Sequence, residues 1–284
     1  MQYSKTSRWI RGSLLVTISF MLGSARAADS TAEIRLYALD CGHFEVTDAA
    51  LFSDTFEYDG KPHAGIVPCF VIKHPKGTLL WDTGMGDWLA ERAGGVDQGG
   101  VHMSLATTLP VELKAIGLTG DDITFMAFSH FHFDHTGNAN EFPSATWIIN
   151  KTELAWAESK PGPFVAPDSY SGYKTAKTRL IDGDYDVFGD GRVRILRTPG
   201  HTPGHQSLLL RLQLAGTVIL SGDLYHLREN RQYRRVPTIN TERADTLASM
   251  ARIEAILKNS KGRLVIQHDL QDFAALPKFP GYLN

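Results

Sequence analysis

Apolar runs separated by short polar turns predict strands along the first half of the chain. Residues 34–39 alternate apolar and other side chains, which is typical of a half-buried strand. Residues 67–73 and 78–81 flank a His-Pro-Lys-Gly turn and predict a β-hairpin. Two further runs, 124–128 and 146–150, carry no charge and predict buried strands. The first half of the chain therefore favours a sheet.

The second half adds two hairpins and the longest helix. Residues 185–188 and 193–197 are predicted to pair around a Gly-Asp-Gly turn, and residues 207–214 and 217–221 around Ala-Gly. An apolar face predicts a helix from residue 241 to about residue 259. Shorter helices are predicted at residues 87–93, 109–116 and 153–158. Strands followed by helices, without strict βαβ alternation, suggest two mixed sheets packed face to face with helices outside, in one domain.

The N-terminus differs from the rest of the chain. Three basic residues precede an apolar stretch at residues 14–22, and Ala25-Arg26-Ala27 offers a small-x-small cleavage site. This is the pattern of a secretory signal peptide, and the stretch is shorter than the roughly 20 residues of a membrane span. We predict a leader over residues 1–27, a mature domain over residues 28–284, and export to the periplasm or the medium. A retained N-terminal anchor is the alternative.

Composition and charge narrow the choice of partner. The chain has 43% apolar and 21% charged residues, as in ordinary globular proteins. Loss of the leader would leave 25 basic and 31 acidic residues, a net charge of −6. This argues against nucleic acid as a partner, because phosphate binding requires a basic stripe. Export would permit a disulfide between Cys41 and Cys69, but the apolar neighbours of Cys69 favour a buried free thiol, so the pairing stays open.

Candidate chemistry is concentrated in six residues directly after the strand predicted at 124–128. They include three histidines and an aspartate: His130, His132, Asp134 and His135. Side chains two apart in an extended segment point the same way, so His130 and His132 are expected to share one metal ion. Asp134 and His135 lie in the turn that follows and are expected to reach a second position beside it.

Three more ligand-type residues each follow a strand-like apolar run: His201, Asp223 and His268. Strand ends are where enzymes with such sheets place their chemistry. A lone histidine at a strand end is more often a hydrogen-bonded surface residue, but that explanation does not suit five histidines and two aspartates in this arrangement. Imidazole and carboxylate donors without thiolate suit zinc, and also iron, manganese or cobalt.

These motifs resemble the metallo-β-lactamase superfamily, and most closely its N-acyl-homoserine lactonases. The likeness rests on H-x-H-x-D-H at residues 130–135, the Pro-Gly-His at His201, the Ser-Gly-Asp that ends at residue 223, and the Gln-His-Asp at residues 267–269. It covers nearly the whole mature chain. It implies an α+β fold, the αββα sandwich, with two mixed β-sheets flanked by helices. It also implies that Asp82 supports the ligand loop without binding metal.

The resemblance implies a site for two divalent ions. One ion is assigned to His130, His132 and His201, the other to Asp134, His135 and His268, with Asp223 bridging them. Two such ions would acidify a bridging water, and the resulting hydroxide would attack a carbonyl. No serine or cysteine nucleophile is then needed, and no G-x-S-x-G motif is present. Protonation of the departing alkoxide is assigned to Asp134 or to a solvent water.

The resemblance predicts an N-acyl homoserine lactone as the substrate, which is a neutral quorum-sensing signal. Phe131 or Phe133 would line the pocket for its acyl tail. Lactonases of this type carry a tyrosine three residues after the bridging aspartate. This chain has His226 there, with Tyr225 as the nearest phenol, so these two are the candidate substrate contacts. Alternatives are another ester, thioester, organophosphate or β-lactam hydrolase, and a metal- or partner-binding protein without catalysis. β-Lactams rank lower, because β-lactamases lack an aspartate equivalent to Asp223. Homodimer formation is left open.

Overall fold

The computed structural model describes residues 1–2, 33–159, 162 and 164–284. Apart from its first two positions, the predicted leader lies outside the described residues. Ala32–Asn284 form one unit. Within the described ranges, no helix is both long enough and apolar enough to cross a membrane.

Eight strands form the first sheet. They are β1 (Arg35–Val46), β2 (His63–His74), β3 (Gly77–Trp81), β4 (Val96–Gln98), β5 (Val101–Ser104), β6 (Phe125–Ala127), β7 (Thr146–Asn150) and β8 (Thr178–Ile181). Their spatial order is β4-β5-β1-β2-β3-β6-β7-β8, with β3, β6, β7 and β8 as parallel neighbours. The hairpin predicted from residues 67–81 is confirmed as β2–β3. β1 extends past its predicted end, because pairing with β2 resumes after an irregularity between Asp40 and His43.

Five strands form the second sheet. They are β9 (Tyr185–Asp186), β10 (Val193–Arg197), β11 (Gln206–Leu212), β12 (Gly216–Leu220) and β13 (Arg263–Val265). Their order is β13-β12-β11-β10-β9, and only the β12–β13 pair among them is parallel. Both hairpins predicted for this half of the chain are confirmed.

Six α-helices accompany the two sheets in the part of the chain that the structure describes. They are α1 (Leu109–Ala115), α2 (Phe133–Thr136), α3 (Lys151–Ser159), α4 (Arg228–Tyr233), α5 (Arg243–Ser260) and α6 (Leu270–Ala274). Helices α1, α3 and α5 pack on the outer faces of the sheets. Alternate residues of β2 enter different layers: Phe70 packs in the cluster shared by both sheets, whereas Val71 packs in the cluster that contains the α1 residue Leu113. On the second sheet, Ile219 packs with Ile253 of α5. The αββα sandwich is therefore confirmed.

The two cysteines form a disulfide, so the expectation of a buried free thiol at Cys69 is wrong. The Cα atoms of Cys41 and Cys69 are 5.7 Å apart, because β1 and β2 are antiparallel neighbours in which Leu39 pairs with Cys69. The burial predicted for Cys69 is confirmed, since its side chain is fully buried. The register that brings the partner cysteine beside it is not visible in the sequence.

Strand ends bring the candidate site together. Asp82 follows β3 and the histidine-rich loop follows β6, its parallel neighbour in the first sheet. Asp223 follows β12 and His268 follows β13, its parallel neighbour in the second sheet. Parallel neighbours end at the same edge of a sheet. The sequence segments that carry the candidate ligands therefore meet at one edge of the sandwich.

Candidate metal centre

Three imidazoles converge from two loops. His130 and His132 lie between β6 and α2, and their ring centroids are 4.5 Å apart. His201, in the β10–β11 connection, places Nε2 3.1 Å from His130 Nε2 and 3.0 Å from His132 Nδ1. All three side chains are buried. We call them the first histidine group; their inward nitrogens are close enough to share one cation.

A second set of donors lies beside the first. Asp134 and His135 occupy the first turn of α2, and His268 reaches them from the end of β13. Asp134 Oδ2 is 3.4 Å from His135 Nε2 and 3.7 Å from His268 Nε2. His135 Nε2 is buried and forms no hydrogen bond of ordinary geometry with any residue that the structure describes. A buried polar atom without a partner is rare and costly, so a cation among these three residues, the second group, would complete the arrangement.

Asp223 lies between the two groups. Its Oδ1 is 3.0 Å from His268 Nε2 and 3.3 Å from His135 Nε2. Its Oδ2 faces the other way, 3.5 Å from His201 Nε2 and 3.8 Å from His130 Nε2. One carboxylate thus presents one oxygen to each set of imidazoles. The structure brings together all seven residues predicted as ligands, in the two groups that the sequence analysis assigned.

Four of the imidazoles have an oxygen partner on the nitrogen that faces away from the centre. The pairs are His130 Nδ1 with Ser129 Oγ (3.0 Å), His135 Nδ1 with Asp82 Oδ2 (3.0 Å), His201 Nδ1 with Asn240 Oδ1 (2.9 Å) and His268 Nδ1 with the Ile66 carbonyl (2.8 Å). An acceptor on the outer nitrogen keeps the proton there and leaves the inner lone pair for a metal. The donor set and its supports therefore fit divalent cations.

The electrostatics differ between the two groups. Burial lowers the pKa of His130 and His201 well below the ordinary value and lowers that of His132 to about 4, so these imidazoles are neutral. Burial also acts to lower the pKa of His135, but the nearby carboxylates of Asp134 and Asp223 outweigh it and raise that pKa. In the metal-free protein, protonated His135 carries a positive charge that balances the negative charge of the nearby carboxylates. Cation binding would release that proton.

Asp82 supports the ligand loop from below. It is fully buried and accepts hydrogen bonds from the Ser129 N–H (2.6 Å), from His135 Nδ1 (3.0 Å) and from Gln267 Nε2 (2.6 Å). These contacts agree with the supporting role that the resemblance implied. His205 acts similarly on the bridging residue, because its Nε2 accepts the backbone N–H of Asp223 (2.9 Å).

Sequence reasoning missed three of the supporting residues. They are Asn240, which contacts His201, Gln267, which contacts Asp82, and Glu153, which contacts the backbone of Phe131 and Gly204. Each comes from a segment distant in sequence from the residue it supports. The only local signal was the position of Gln267 immediately before His268.

An apolar pocket opens onto the centre. A cavity of about 100 Å³ is lined by residues from both groups and by aromatic side chains that include Phe44, Phe52 and Phe133. An adjoining pocket of about 290 Å³ shares Phe133 and Phe164 with it and extends to Trp88. Phe133 therefore lies where the sequence analysis placed a lining residue. Phe131 does not, because it is 1% exposed and packs against Tyr170 in the core.

The two candidate substrate contacts point in opposite directions. Tyr225 is buried against α5, and its hydroxyl donates to Glu254 (3.2 Å), so the prediction that it contacts the substrate is wrong. Residue 225 has extended backbone, in which successive side chains alternate sides. His226 therefore faces the pocket, with Nε2 3.2 Å from Asp223 Oδ2 and its ring 5.3 Å from that of Phe52.

Comparison with known proteins identifies the family. The sequence model of the metallo-beta-lactamase superfamily matches residues 64–268. The chain belongs to this superfamily. N-acyl homoserine lactonase AttM of Azorhizobium caulinodans, a similar member, is 28% identical over 271 residues, which cover 89% of this chain and 99% of that enzyme. N-acyl homoserine lactonase AiiA of Bacillus thuringiensis subsp. kurstaki is 30% identical over 224 residues, covering 76% of this chain and 86% of that enzyme.

A solved structure of the superfamily shows the same architecture. It is an N-acyl homoserine lactone hydrolase with the product N-hexanoyl-L-homoserine bound at its catalytic metal centre. It superposes with a TM-score of 0.77 at 27% identity, covering 87% of this chain and 98% of that one. Similarity to these enzymes makes the chain a metal-dependent hydrolase of the metallo-beta-lactamase superfamily, as the motifs indicated.

Proposed function

We propose that this protein opens the lactone ring of N-acyl homoserine lactones at a pair of divalent metal ions. The observation that carries the proposal is the orientation of Asp223, whose two oxygens face two separate groups of donors. This arrangement suits two neighbouring cations, and the similar enzymes are lactonases. We expect zinc, with iron, manganese or cobalt as the other metals that accept imidazole and carboxylate.

The first histidine group would hold one ion, the second group the other, and Asp223 would touch both. When bound, the ions supply an acidified water for attack and polarise the carbonyl of the substrate. Among the described residues, none of those that line the pocket is a serine or a cysteine, so no side-chain nucleophile of that kind faces the substrate. Asp134 lines the pocket with its side chain only 17% exposed, so it can carry a proton to the departing alkoxide.

We assign to His226 a hydrogen bond with the substrate at the carbonyl or ring oxygen. Its side chain lines the cavity beside Asp223, and its Nδ1 is buried without a hydrogen-bond partner in the part of the chain that the structure describes. His226→Phe keeps the ring volume and its packing on Phe52 but removes both nitrogens. We expect kcat to fall about tenfold, the worth of one hydrogen bond of about 1.4 kcal/mol, with the metal content unchanged. An unchanged kcat would show that His226 takes no part in the reaction.

The apolar pocket would take the acyl tail. A tail that leaves the centre past Phe133 and Phe164 enters the adjoining pocket toward Trp88. These side chains offer contact surface without charge, which suits a neutral hydrocarbon chain. The polar lactone end would then lie at the carboxylates and imidazoles.

We also propose that the mature domain of residues 28–284 works outside the cytoplasm. The sequence has the pattern of a signal peptide, and the Cys41–Cys69 disulfide is the kind of bond that persists in oxidising compartments. Fractionation of cells that express the full-length chain tests the proposal. A cytoplasmic protein that retains residues 1–27 would refute it.

A proton-release assay on a substrate panel tests the activity. The panel holds N-acyl homoserine lactones, simple esters and thioesters, phosphotriesters and β-lactams. We expect the lactones to turn over fastest, and Asp223→Ala to lose about 100-fold or more, since the metal pair supplies several kcal/mol. Asp59→Ala, at an exposed position, is the matched control. Faster turnover of phosphotriesters or β-lactams would show that the substrate class is wrong, and metal uptake without any hydrolysis would indicate a binding protein.

A further inference from the structure

Glu153 is a buried acid that the proposed reaction does not use. It lies in the first turn of α3 and is 2% exposed. The strongest influences on its charge are burial, the backbone N–H groups of Phe131 and Gly204, the Thr202 hydroxyl and the His135 imidazole, and none of these is a lysine or arginine. A buried carboxylate without a cation is costly, and an apolar side chain would fill the space at a lower cost. The position therefore requires what an acid offers, namely two acceptor oxygens on one rigid group.

Each oxygen of Glu153 binds a different loop of the metal centre. Oε1 accepts the Phe131 N–H (2.9 Å), and Oε2 accepts the Gly204 N–H (2.9 Å). Phe131 stands between two members of the first histidine group, and Gly204 lies three residues after the third. One carboxylate thus links the two loops whose imidazoles must meet at a single cation.

Close packing leaves Glu153 little freedom. A Cβ atom on Gly204 would lie 2.4 Å from the Glu153 nitrogen and 2.5 Å from its Cβ, so this loop rests directly on the start of α3. Asn150 Oδ1 accepts the N–H groups of Thr152 and Glu153 and fixes where the helix begins. The carboxylate is therefore held at a defined distance from both loops.

We propose that Glu153 is a positioning residue that sets the separation of these two loops and so holds the first histidine group in register for its cation. The inference rests on the proposed metal centre. Metal–ligand distances tolerate deviations of only about 0.2 Å, so a shift of one loop weakens binding. The second group should be insensitive, because Asp82 and the Ile66 carbonyl orient its histidines.

The test compares metal retention at the two positions. Crystals of the cobalt-loaded mature protein are equilibrated with increasing chelator, and anomalous diffraction gives the occupancy of each position. Glu153→Gln replaces one acceptor with an NH₂ group, so one backbone N–H faces a donor. In mildly alkaline buffer we expect half-release from the first histidine group at a chelator concentration about 10–100-fold lower than in wild type. Release from the second group should stay close to wild type.

Two further variants keep the test decisive. Glu112→Gln alters a half-buried carboxyl on α1 and should leave both positions unchanged. If Glu153→Gln does not fold, Glu153→Asp keeps the charge but is too short to reach both loops, so it should show the same selective loss. Folding itself should survive, because Gln206 also joins the loops through the Ser129 and Phe128 carbonyls.

The outcomes separate the two proposals. Equal weakening at both positions, or no weakening at either, would overturn the positioning role while leaving the metal centre intact. A wild-type protein that takes up no cobalt would overturn the proposed function and the inference with it.

Discussion

Replacing Asp82 with asparagine should disable one half of the metal centre. The carboxylate accepts three hydrogen bonds, from Ser129, His135 and Gln267. Asparagine offers one acceptor and one NH₂ group in the same volume. If the asparagine oxygen still accepts the hydrogen bond from the Ser129 N–H, the asparagine NH₂ group faces His135 Nδ1. That nitrogen must then act as a hydrogen-bond acceptor. The imidazole proton moves to Nε2, the atom that faces Asp223, and the lone pair for a metal is lost.

The expected losses of metal affinity and of stability follow from the hydrogen bonds of Asp82 that the substitution removes. Loss of the acceptor behind a metal-binding histidine typically weakens the metal by about 10–100-fold, and we expect this factor for the second group. The first histidine group should keep its affinity, because Asn240 still holds the outer nitrogen of His201. The metal-free protein should lose about 1–3 kcal/mol for one unmet buried donor. That corresponds to a drop of roughly 2–12 °C in Tm for a domain of this size.

Chelator titration of cobalt-loaded crystals and calorimetry of the metal-free protein measure the two effects. The asparagine substitution at the exposed Asp59 is the matched control. Unchanged retention at the second group would refute the tautomer argument. Equal loss at both groups would show that Asp82 supports the whole loop and not His135 in particular.

Three other perturbations have defined outcomes. Cys41→Ser opens a loop with a sequence separation of 28 and should lower the free energy of unfolding by about 3–4 kcal/mol, seen as a lower urea midpoint; no shift would contradict this. Burial raises the pKa of Glu153 from 4.5 to about 7. The contribution of its neutral form to the free energy of unfolding is therefore fully present below pH 4.5, and it is lost as the pH rises through 7. At about 1.4 kcal/mol per pH unit, metal-free wild type should lose about 3 kcal/mol relative to Glu153→Gln across this window, and parallel pH curves would refute the shift. Phe133→Ala should raise KM for long-chain lactones about tenfold, the loss of about 1.4 kcal/mol of apolar contact, with a smaller effect on short-chain lactones; equal effects would move the tail elsewhere.

Local sequence pattern was enough to find the seven residues that converge at the candidate metal centre. Each lies just after an apolar run, and H-x-H-x-D-H places its donors within one strand end and one helical turn. Since the ends of parallel neighbours share an edge, the convergence of Asp223 and His268 follows from strand order alone. The longest helix and the hairpins were predictable for the same reason, because their periodicity is local.

Properties that depend on register or on long-range contact were not predictable. The disulfide requires the β1–β2 pairing, and the choice between Tyr225 and His226 requires the direction of one extended residue. The short strands β4 and β5 lie next to a Gly-rich stretch whose apolar residues are too few to show a period. Glu153 carries no signal of its role, because its partners are backbone N–H groups far away in sequence.

Anomalous diffraction from crystals of the wild-type mature protein grown with zinc tests the metal pair most directly. We predict two peaks, one within bonding reach of His130, His132 and His201 and one within reach of Asp134, His135 and His268, with Asp223 contacting both. A single peak, or none at saturating zinc, would contradict the two-metal centre.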